Sequence, residues 1–434
     1  MGLSATRIRS RIEAEVALGE RLPGDRLPSV RDFAAELQVS PNTVAAAYKQ
    51  LRERGVVLGR GRQGTVIAPS TRPTFTQLTA VPPGAIDALR GTPDQAFLPN
   101  LAPAFAAASQ GQPVQYGDPL LDDAFANAAS TLFEADGIDA TNLAATYGAM
   151  DAVEKVLAAN ELRRGDRVGV EDPGHVPVHQ LVRAAGLEVV PLALDDRGIR
   201  PEALEAALDQ GLDALVLTPR AQNPTGAAFD AHRAEVLSKL LAGHHEILLI
   251  EDDHAAAISG VDWHPITPPG SRHAVIRSLG KTLGPDLRVS IVVGDPATID
   301  RVSIAVSNGP GWVSHLLQRA AAHLLTDPST NALISQAAQS YTGRREHLIR
   351  SLQRHGISAC GTSGLHVWIP TADEQAMVEA ARVAGFAIRA ADSYRIDSPP
   401  AVRVTVSNLD HDQIDELADA MAKAVSTRLH SSTM

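Results

Sequence analysis

The chain has 434 residues, 44% of them apolar and 21% charged, enough for two or three domains with their own cores, which excludes a disordered or collagen-like polymer. No apolar run approaches the length of a membrane span, and the amino terminus lacks the apolar centre of a secretion signal. The lone cysteine, Cys360, excludes an internal disulfide framework and leads us to expect a cytoplasmic protein, while the net charge of −11 is split between residues 1–70 (11 Lys and Arg, 7 Asp and Glu, net +4) and the remainder (28 and 43, net −15), so any nucleic-acid contact belongs to the front.

Residues 4–18 are predicted to be helical, since Ile8, Ile12, Val16 and Leu18 recur near helical spacing and Gly19 ends the run. Pro23-Gly24-Asp25 is a turn. Ser29, with Asp32 three residues on, opens a second helix whose apolar stripe is Val30, Phe33, Ala34 and Leu37. Ser40-Pro41 opens a third, with a serine N-cap and proline at the first helical position. Val44, Tyr48 and Leu51 face inward there, and Asn42, Thr43, Lys49 and Arg52 face out. Short strands at 56–58 and 65–67 flank the basic tip Gly59-Arg60-Gly61-Arg62-Gln63-Gly64. This is the order of a winged helix-turn-helix. Its third helix enters the major groove N-terminus first, and Arg60 and Arg62 reach phosphate or the minor groove. A three-helix protein-interaction module is the other reading; the polar helix start and basic wing, together and in order, favour DNA. Residues 69–85, with Pro69, Pro73, Pro82, Pro83 and Gly84, form an extended linker. At ~3.5 Å per residue it spans at most roughly 60 Å.

From residue 86 onward, apolar runs at 167–170, 189–194, 214–217, 246–250, 275–276 and 289–293 alternate with helical segments such as 201–210 and 230–242. This is an α/β pattern, a mostly parallel sheet covered on both faces. Polar motifs follow the strands, at the edge where open α/β sheets bind ligands. Ser278-Leu279-Gly280-Lys281 places a lysine on a tight loop after a buried strand, with Arg288 seven residues on. That is the setting of a lysine that forms a Schiff base with pyridoxal 5'-phosphate (PLP), with a hydroxyl and a guanidinium for the phosphate. Asn223-Pro224-Thr225-Gly226 offers an amide to the phenolic oxygen of the ring. Glu251-Asp252-Asp253-His254 offers a carboxylate to keep the pyridine nitrogen protonated. Tyr147-Gly148-Ala149-Met150-Asp151 leads into a helix at 152–159 whose first amides suit a phosphate. Glu171-Asp172-Pro173-Gly174-His175 places a ring where it can stack on the cofactor. Each motif alone is an ordinary loop; in this order they converge on one cofactor.

Arg26-Leu27-Pro28-Ser29-Val30-Arg31-Asp32-Phe33-Ala34, Val39-Ser40-Pro41-Asn42-Thr43-Val44 and Gly64-Thr65 resemble the GntR family of winged-helix repressors throughout residues 4–68. The resemblance implies DNA contacts from Arg26, Ser29, Arg31, Ser40, Asn42, Thr43, Arg60 and Arg62. Pro41 stands where a basic residue is common. Residues 86–425 resemble fold-type I, class I/II aminotransferases, also at Tyr116-Gly117-Asp118-Pro119 and at 401–406. This implies Lys281 as the Schiff-base lysine, Asp252 as the pyridine partner and Asn223 as the O3′ partner. It places Ser278, Arg288 and the loop Gly148, Ala149 and Met150 on the phosphate, Tyr116 on the phosphate of a neighbouring subunit, and Arg403 on an effector α-carboxylate as a bidentate pair. His254 and His175 replace the usual tyrosines at the O3′ and stacking positions, Met150 replaces a polar phosphate-loop residue, and Gly280 sits where serine is common. These departures leave a PLP site with fewer polar contacts and argue against efficient transamination.

A winged head over 1–68, a linker over 69–85 and an aminotransferase-like body over 86–434, with a small C-terminal α+β part from about 315, together resemble the MocR subfamily of GntR regulators. Gly91-Thr92-Pro93-Asp94 and Gly364-Leu365-His366 add to the likeness, and the Glu-Asp-Asp-His variant is similar to members linked to vitamin B6 salvage. The resemblance implies a homodimeric regulator that binds a double-stranded operator and senses PLP or a PLP–amine adduct, with no metal and no membrane. The alternative is a working PLP-dependent aminotransferase with a regulatory DNA-binding head.

Overall fold

Capping and a small apolar core explain the N-terminal unit, which contains α1 (Ala5–Ala17), α2 (Val30–Glu36), α3 (Pro41–Glu53), β1 (Val57–Gly59) and β2 (Thr65–Ile67). The computed structural model describes residues 4–17, 21, 24–53, 56–59, 64–67 and 80–431, and the chain divides into two units at Ala80. Leu18, Gly19, Pro23, the wing tip with Arg60 and Arg62, and the linker as far as residue 79 lie outside the described residues.

Ser29 Oγ accepts from the Asp32 amide at 3.2 Å, and Ser40 Oγ from the Thr43 amide at 3.2 Å, so both helices start where the serines predict. Ile8, Ile12, Phe33, Val44, Tyr48, Leu51, Val57 and Ile67 close the core, each worth roughly 1.5–3 kcal/mol on full burial for a side chain of this size. The Tyr48 hydroxyl donates to the Pro28 carbonyl at 2.9 Å. β1 and β2 pair antiparallel, Val57 opposite Ile67. The other edge of β2 takes the Leu27 amide on the Thr65 carbonyl at 2.8 Å. Gly64 has φ +85°, a conformation that disfavours any side chain, and lies under Arg26, whose Nε would stand 3.0 Å from a Cβ there.

In the body the elements are β3 (Ile86–Asp87), α4 (Leu101–Ala108), α5 (Asp123–Glu134), β4 (Leu143–Thr146), α6 (Ala149–Ala159), β5 (Arg167–Asp172), α7 (Val176–Ala184), β6 (Glu188–Asp195), β7 (Gly198–Ile199), α8 (Pro201–Asp209), β8 (Ala214–Leu217), α9 (Ala231–Leu241), β9 (Leu248–Asp252), β10 (His273–Ser278), β11 (Ser290–Gly294), α10 (Pro296–Asn308), α11 (His315–Thr326), α12 (Pro328–Arg354), β12 (His366–Pro370), α13 (Glu374–Val383), β13 (Phe386–Ala387), β14 (Arg389–Ala390), β15 (Ala401–Thr405) and α14 (His411–Ser431). An 8-stranded sheet runs β4-β11-β10-β9-β8-β5-β6-β7. β10, β9, β8, β5 and β6 are mutually parallel, and β11 is antiparallel to both its neighbours.

The two-residue period of the strands sorts the core. Ala214, Val216, Ile250 and Ile276 face α6, α7 and α10. Leu215, Leu217 and Leu249 face α8 and α9, while Val275 and Ile291 face the cluster of α4, α5 and α11. A 3-stranded antiparallel sheet, β12-β15-β14, packs with α13, α14 and the end of α12 in a separate core. α12, 27 residues long, serves both: Ile334 and Tyr341 belong to the large core, and Leu348 and Leu352 to the small one. β3, the first strand after the linker, pairs with β13 of the small part.

Candidate functional site

The carboxyl ends of β8, β9 and β10 and the loops around them enclose a cavity of about 210 Å³. It is lined by Ala149, Met150, His175, Asn223, Asp252, His254, Ser278, Lys281 and Arg288, all singled out in the sequence. Gly91, Thr92, Pro93, Thr218, Gly280, Pro285 and His366 complete the wall.

Lys281 stands three residues past the end of β10, in a turn closed by the Leu283 amide on the Leu279 carbonyl at 2.8 Å. Its Nζ donates to the carbonyl oxygen of Gly91. Burial, then the Arg403 charge, pulls the amine down to about 8, against the opposing pull of Asp252. Asp252 ends β9, opposite Ile276 of β10. Its carboxyl is pushed up to about 7 by burial and by Asp253. Oδ1 is buried without a hydrogen-bond partner among the described residues, and Oδ2 lies 3.9 Å from His254 Nδ1.

The neighbouring aspartate has a different environment. Asp253 accepts from Arg220 Nε and Nη2, both at 2.9 Å, and from Arg277 Nε at 2.9 Å. Asp136 joins both arginines, and Arg277 lies over the Phe133 ring at 4.4 Å. Although burial opposes it, the two guanidinium groups hold the Asp253 carboxyl below the usual carboxylate range. Strand geometry thus turns one aspartate of Glu251-Asp252-Asp253-His254 into the cavity and the next into a structural ion cluster.

On β15, Arg403 donates from Nη1 to Asn223 Oδ1 at 2.9 Å and from Nη2 to the Leu89 carbonyl; its Nε has no partner among the described residues. Asn223 Nδ2 faces His175 Nδ1 at 3.0 Å. Burial, with His254 and Lys281 nearby, keeps His175 well below its ordinary value and therefore neutral, so Nδ1 accepts and the ring proton sits on Nε2. The amide orientation is fixed at both ends, which leaves one Nδ2 hydrogen for a ligand.

At the other end, Gly148 caps α6 with φ +95°. The helix begins at Ala149, earlier than the 152 read from the sequence, so the first-turn amides with no intrahelical partner lie beside the cavity. Arg288, itself left-handed at φ 51°, donates from Nη2 to the Tyr147 carbonyl at 2.9 Å. A Cβ on Gly148 would stand 2.6 Å from that nitrogen. Gly148 itself does not line the cavity; it leaves room for Arg288. Free amides, a guanidinium and the Ser278 hydroxyl make an anion site at this end.

Tyr116 stands apart, 94% exposed and edge-on to Trp312 at 5.7 Å. In the N-terminal unit Arg26, Ser29, Arg31, Ser40 and Asn42 are exposed and Thr43 is half-buried. Among the described residues no group of His, Cys, Asp and Glu could hold a metal ion, and no described helix is long and apolar enough to cross a membrane. The residues fit PLP: an amine of lowered basicity, a buried carboxylate with an unsatisfied oxygen and a set of anion-binding groups line one cavity. Missed from the sequence as site residues were Gly91 and His366. Both lie in motifs that carried only the family likeness, and His366 is buried, kept neutral by burial and by the Arg403 and Lys281 charges.

Residues 85–421 match the aminotransferase class I and II family, and residues 4–67 the bacterial regulatory proteins of the gntR family. The chain is 38% identical to the vitamin B6 salvage pathway transcriptional repressor PtsJ of Salmonella typhimurium, over 98% of this chain and 99% of that protein. It is 27% identical to the HTH-type pyridoxine biosynthesis transcriptional regulator PdxR of Corynebacterium glutamicum, over 81% of this chain and 76% of that one. Among solved structures, the kynurenine aminotransferase of Pyrococcus horikoshii superimposes with a TM-score of 0.72 at 22% identity, covering 80% of this chain and 92% of that chain, which establishes the shared fold.

Proposed function

The chain belongs to the MocR-type transcriptional regulators, a GntR winged helix-turn-helix joined to an aminotransferase class I and II body, and from that premise we propose that it binds PLP around Lys281 and adjusts its hold on operator DNA to the state of that site. One observation carries this reading: the buried Lys281 amine and the buried, half-unpartnered Asp252 carboxylate face a single cavity that has an anion site at its far end.

In this reading Lys281 Nζ is the covalent anchor. Its lowered basicity makes neutral amine, the form that attacks a carbonyl, available near neutral pH. Asp252 Oδ1 takes the pyridine N–H, which is the partner it lacks. Asn223 gives its remaining Nδ2 hydrogen to the phenolic oxygen, beside His254. His175 forms a wall against the ring, and Ser278, Arg288 and the first amides of α6 hold the phosphate. PLP bound there supplies an electron-withdrawing ring. The carboxylate of an amine effector would have to take Arg403 from Asn223 and Leu89, which hold both its Nη atoms. That occupancy favours a sensor over an enzyme of rapid turnover.

Arg26, Arg31, Asn42 and Thr43, with Arg60 and Arg62, are the proposed DNA contacts, and Ser29 and Ser40 contribute from the helix starts. We take the molecule to be a homodimer that joins through the face bearing the exposed Phe105, Leu316 and Tyr116, and that reads two half-sites. Likeness to PtsJ and PdxR points to genes of vitamin B6 metabolism. Regulation requires PLP to favour one arrangement of the heads over another, since equal affinity shifts nothing. Fluorescence anisotropy with the protein's own upstream DNA, at fixed salt, tests this. An affinity that changes with PLP is expected. Sequence-selective binding indifferent to PLP would overturn the sensor, and repeated turnover of an amino acid with a keto acid would replace it with the aminotransferase.

A further inference from the structure

The segment that leaves the linker runs directly over the cavity. The Ile86 amide donates to the Gly385 carbonyl at 2.8 Å, and the Ala88 amide to the Ala387 carbonyl at 3.0 Å. Ala88 in turn accepts from the Thr405 amide at 2.8 Å. The next carbonyls point inward. Leu89 accepts from Arg403, Gly91 accepts from Lys281 Nζ, and Thr92 accepts from Ser407 Oγ at 2.6 Å. Lys281 in the cavity wall and Arg403, which holds Asn223 of that wall, are thus both engaged by backbone oxygens of one short stretch.

Gly91 fits there through close approach. A Cβ would stand 3.1 Å from His366 Cε1 and 3.5 Å from Lys281 Nζ. His366 is itself anchored, Nδ1 to Thr405 Oγ1 at 3.2 Å, on the residue that also holds Ala88.

We propose that residues 88–92 are a strap that seats the free Lys281 amine and is released when that amine is taken, which makes Gly91 a positioning residue and the strap the link from cavity to linker. This rests on the proposed PLP function. When the neutral amine condenses with an aldehyde, a C=N bond forms. The carbonyl oxygen leaves as water with the two amine hydrogens, and no oxidant or reductant is involved. The nitrogen keeps one hydrogen at most, where the ammonium had three, so the Gly91 carbonyl loses its donor. A buried carbonyl without a partner is costly, roughly 1–3 kcal/mol, and the strap relieves that by lifting towards solvent. The residues just before the strap are those of β3, which pairs with β13, so release loosens the point where the chain leaving the linker is tied to the small part.

The test is hydrogen exchange by mass spectrometry on the full chain, with and without PLP, with the visible absorption band recorded in parallel. The amides of 88–92 are expected to exchange about tenfold faster once the band appears, the measure of a local opening. Lys281→Ala, which removes the donor and leaves the strap sequence intact, should show the fast exchange without PLP. Gly91→Ala, which crowds His366, should do the same and no longer respond to PLP. A purely structural role for Gly91 would leave Lys281→Ala slow. A visible band with unchanged or slower strap exchange in the parent protein overturns the strap and leaves the PLP reading standing. No band at saturating PLP overturns both.

Discussion

The two units place polar chemistry in opposite ways. In the N-terminal unit Ser29, Arg31, Ser40 and Asn42, candidate contact residues, are exposed at or near the starts of two short helices, close to each other in sequence. In the body they are buried and drawn from far apart: Lys281 meets a carbonyl 190 residues away, Arg403 one 314 residues away, and Asn223 lies 180 residues from Arg403. Exposure lets salt screen a charge. Burial changes the charge itself, drawing Lys281 down to about 8 and Asp252 up to about 7. A surface of the first kind suits a polyanion bound and released with ionic strength. A cavity of the second kind suits one small molecule held covalently.

The sharpest break between the units is Lys281→Ala. Borohydride should then trap no PLP on the protein, a complete loss read by intact mass, while low-salt DNA binding persists. A PLP adduct that survives the substitution would remove Lys281 as the anchor. Next in size is the contrast within Glu251-Asp252-Asp253-His254. Asp253→Ala leaves Arg220 and Arg277 buried with only the partly exposed Asp136 between them, and should cost about 3–5 kcal/mol in urea unfolding. Asp252→Asn should cost under about 1 kcal/mol in the PLP-free protein, because Oδ1 has no partner to lose, yet should weaken PLP binding. Equal destabilisation by the two would mean that the aspartates share one role.

The pH dependence sharpens the same point. A lysine whose basicity is depressed to about 8 is mostly ammonium below that pH and mostly amine above it. The rate of covalent PLP capture should therefore rise roughly tenfold per pH unit up to about 8 and level off beyond it, followed by stopped-flow absorbance. A rise that continues towards pH 10 would mean that Lys281 is not buried as described. The last contrast belongs to the head. Asn42→Ala, at the exposed start of α3, should weaken operator binding by about 1–3 kcal/mol and relax preference at one base pair, with the PLP-binding curve unmoved.

Local chemistry was legible in the sequence, and what depended on distant packing was not. Ser29 and Ser40 announce α2 and α3 because a cap is a contact over three residues. The strand at 214–217 and the helices near 201 and 231 carry their periodicity in the residues themselves. Lys281, Asp252 and Asn223 could be brought to one sheet edge from the sequence because each lies at or just past the end of a strand in a short motif. β4, Leu143–Thr146, escaped notice because Leu-Ala-Ala-Thr is too short and too small to show a period. Asp253 could not be separated from Asp252 without Arg220 and Arg277, which come from other strand ends. Gly91 and His366 were visible as family motifs, but their place beside Lys281 follows from the path of the segment after the linker. Tyr116 gives the opposite lesson: its motif is easy to read, yet within one chain its ring points into solvent.

α12 also has a mechanical consequence. It is a long member shared by both cores, and Gly343 lies near its middle, with no atom beyond the helix's own backbone within 4 Å of where a side chain would begin. Glycine inside a helix costs about 1 kcal/mol relative to alanine and weakens the rod at that turn. Arg354 lies eleven residues further on, roughly 16 Å at ~1.5 Å per residue, so a tilt of about 10° at Gly343 swings the end of the helix by roughly 3 Å. The small sheet, carrying Arg403 and the strand partner of β3, rides on that end. The helix thus carries the small sheet, and Arg403 with it, on the same rod whose longer arm is packed in the large core, so the position of Arg403 beside the cavity depends on the straightness of α12 at Gly343.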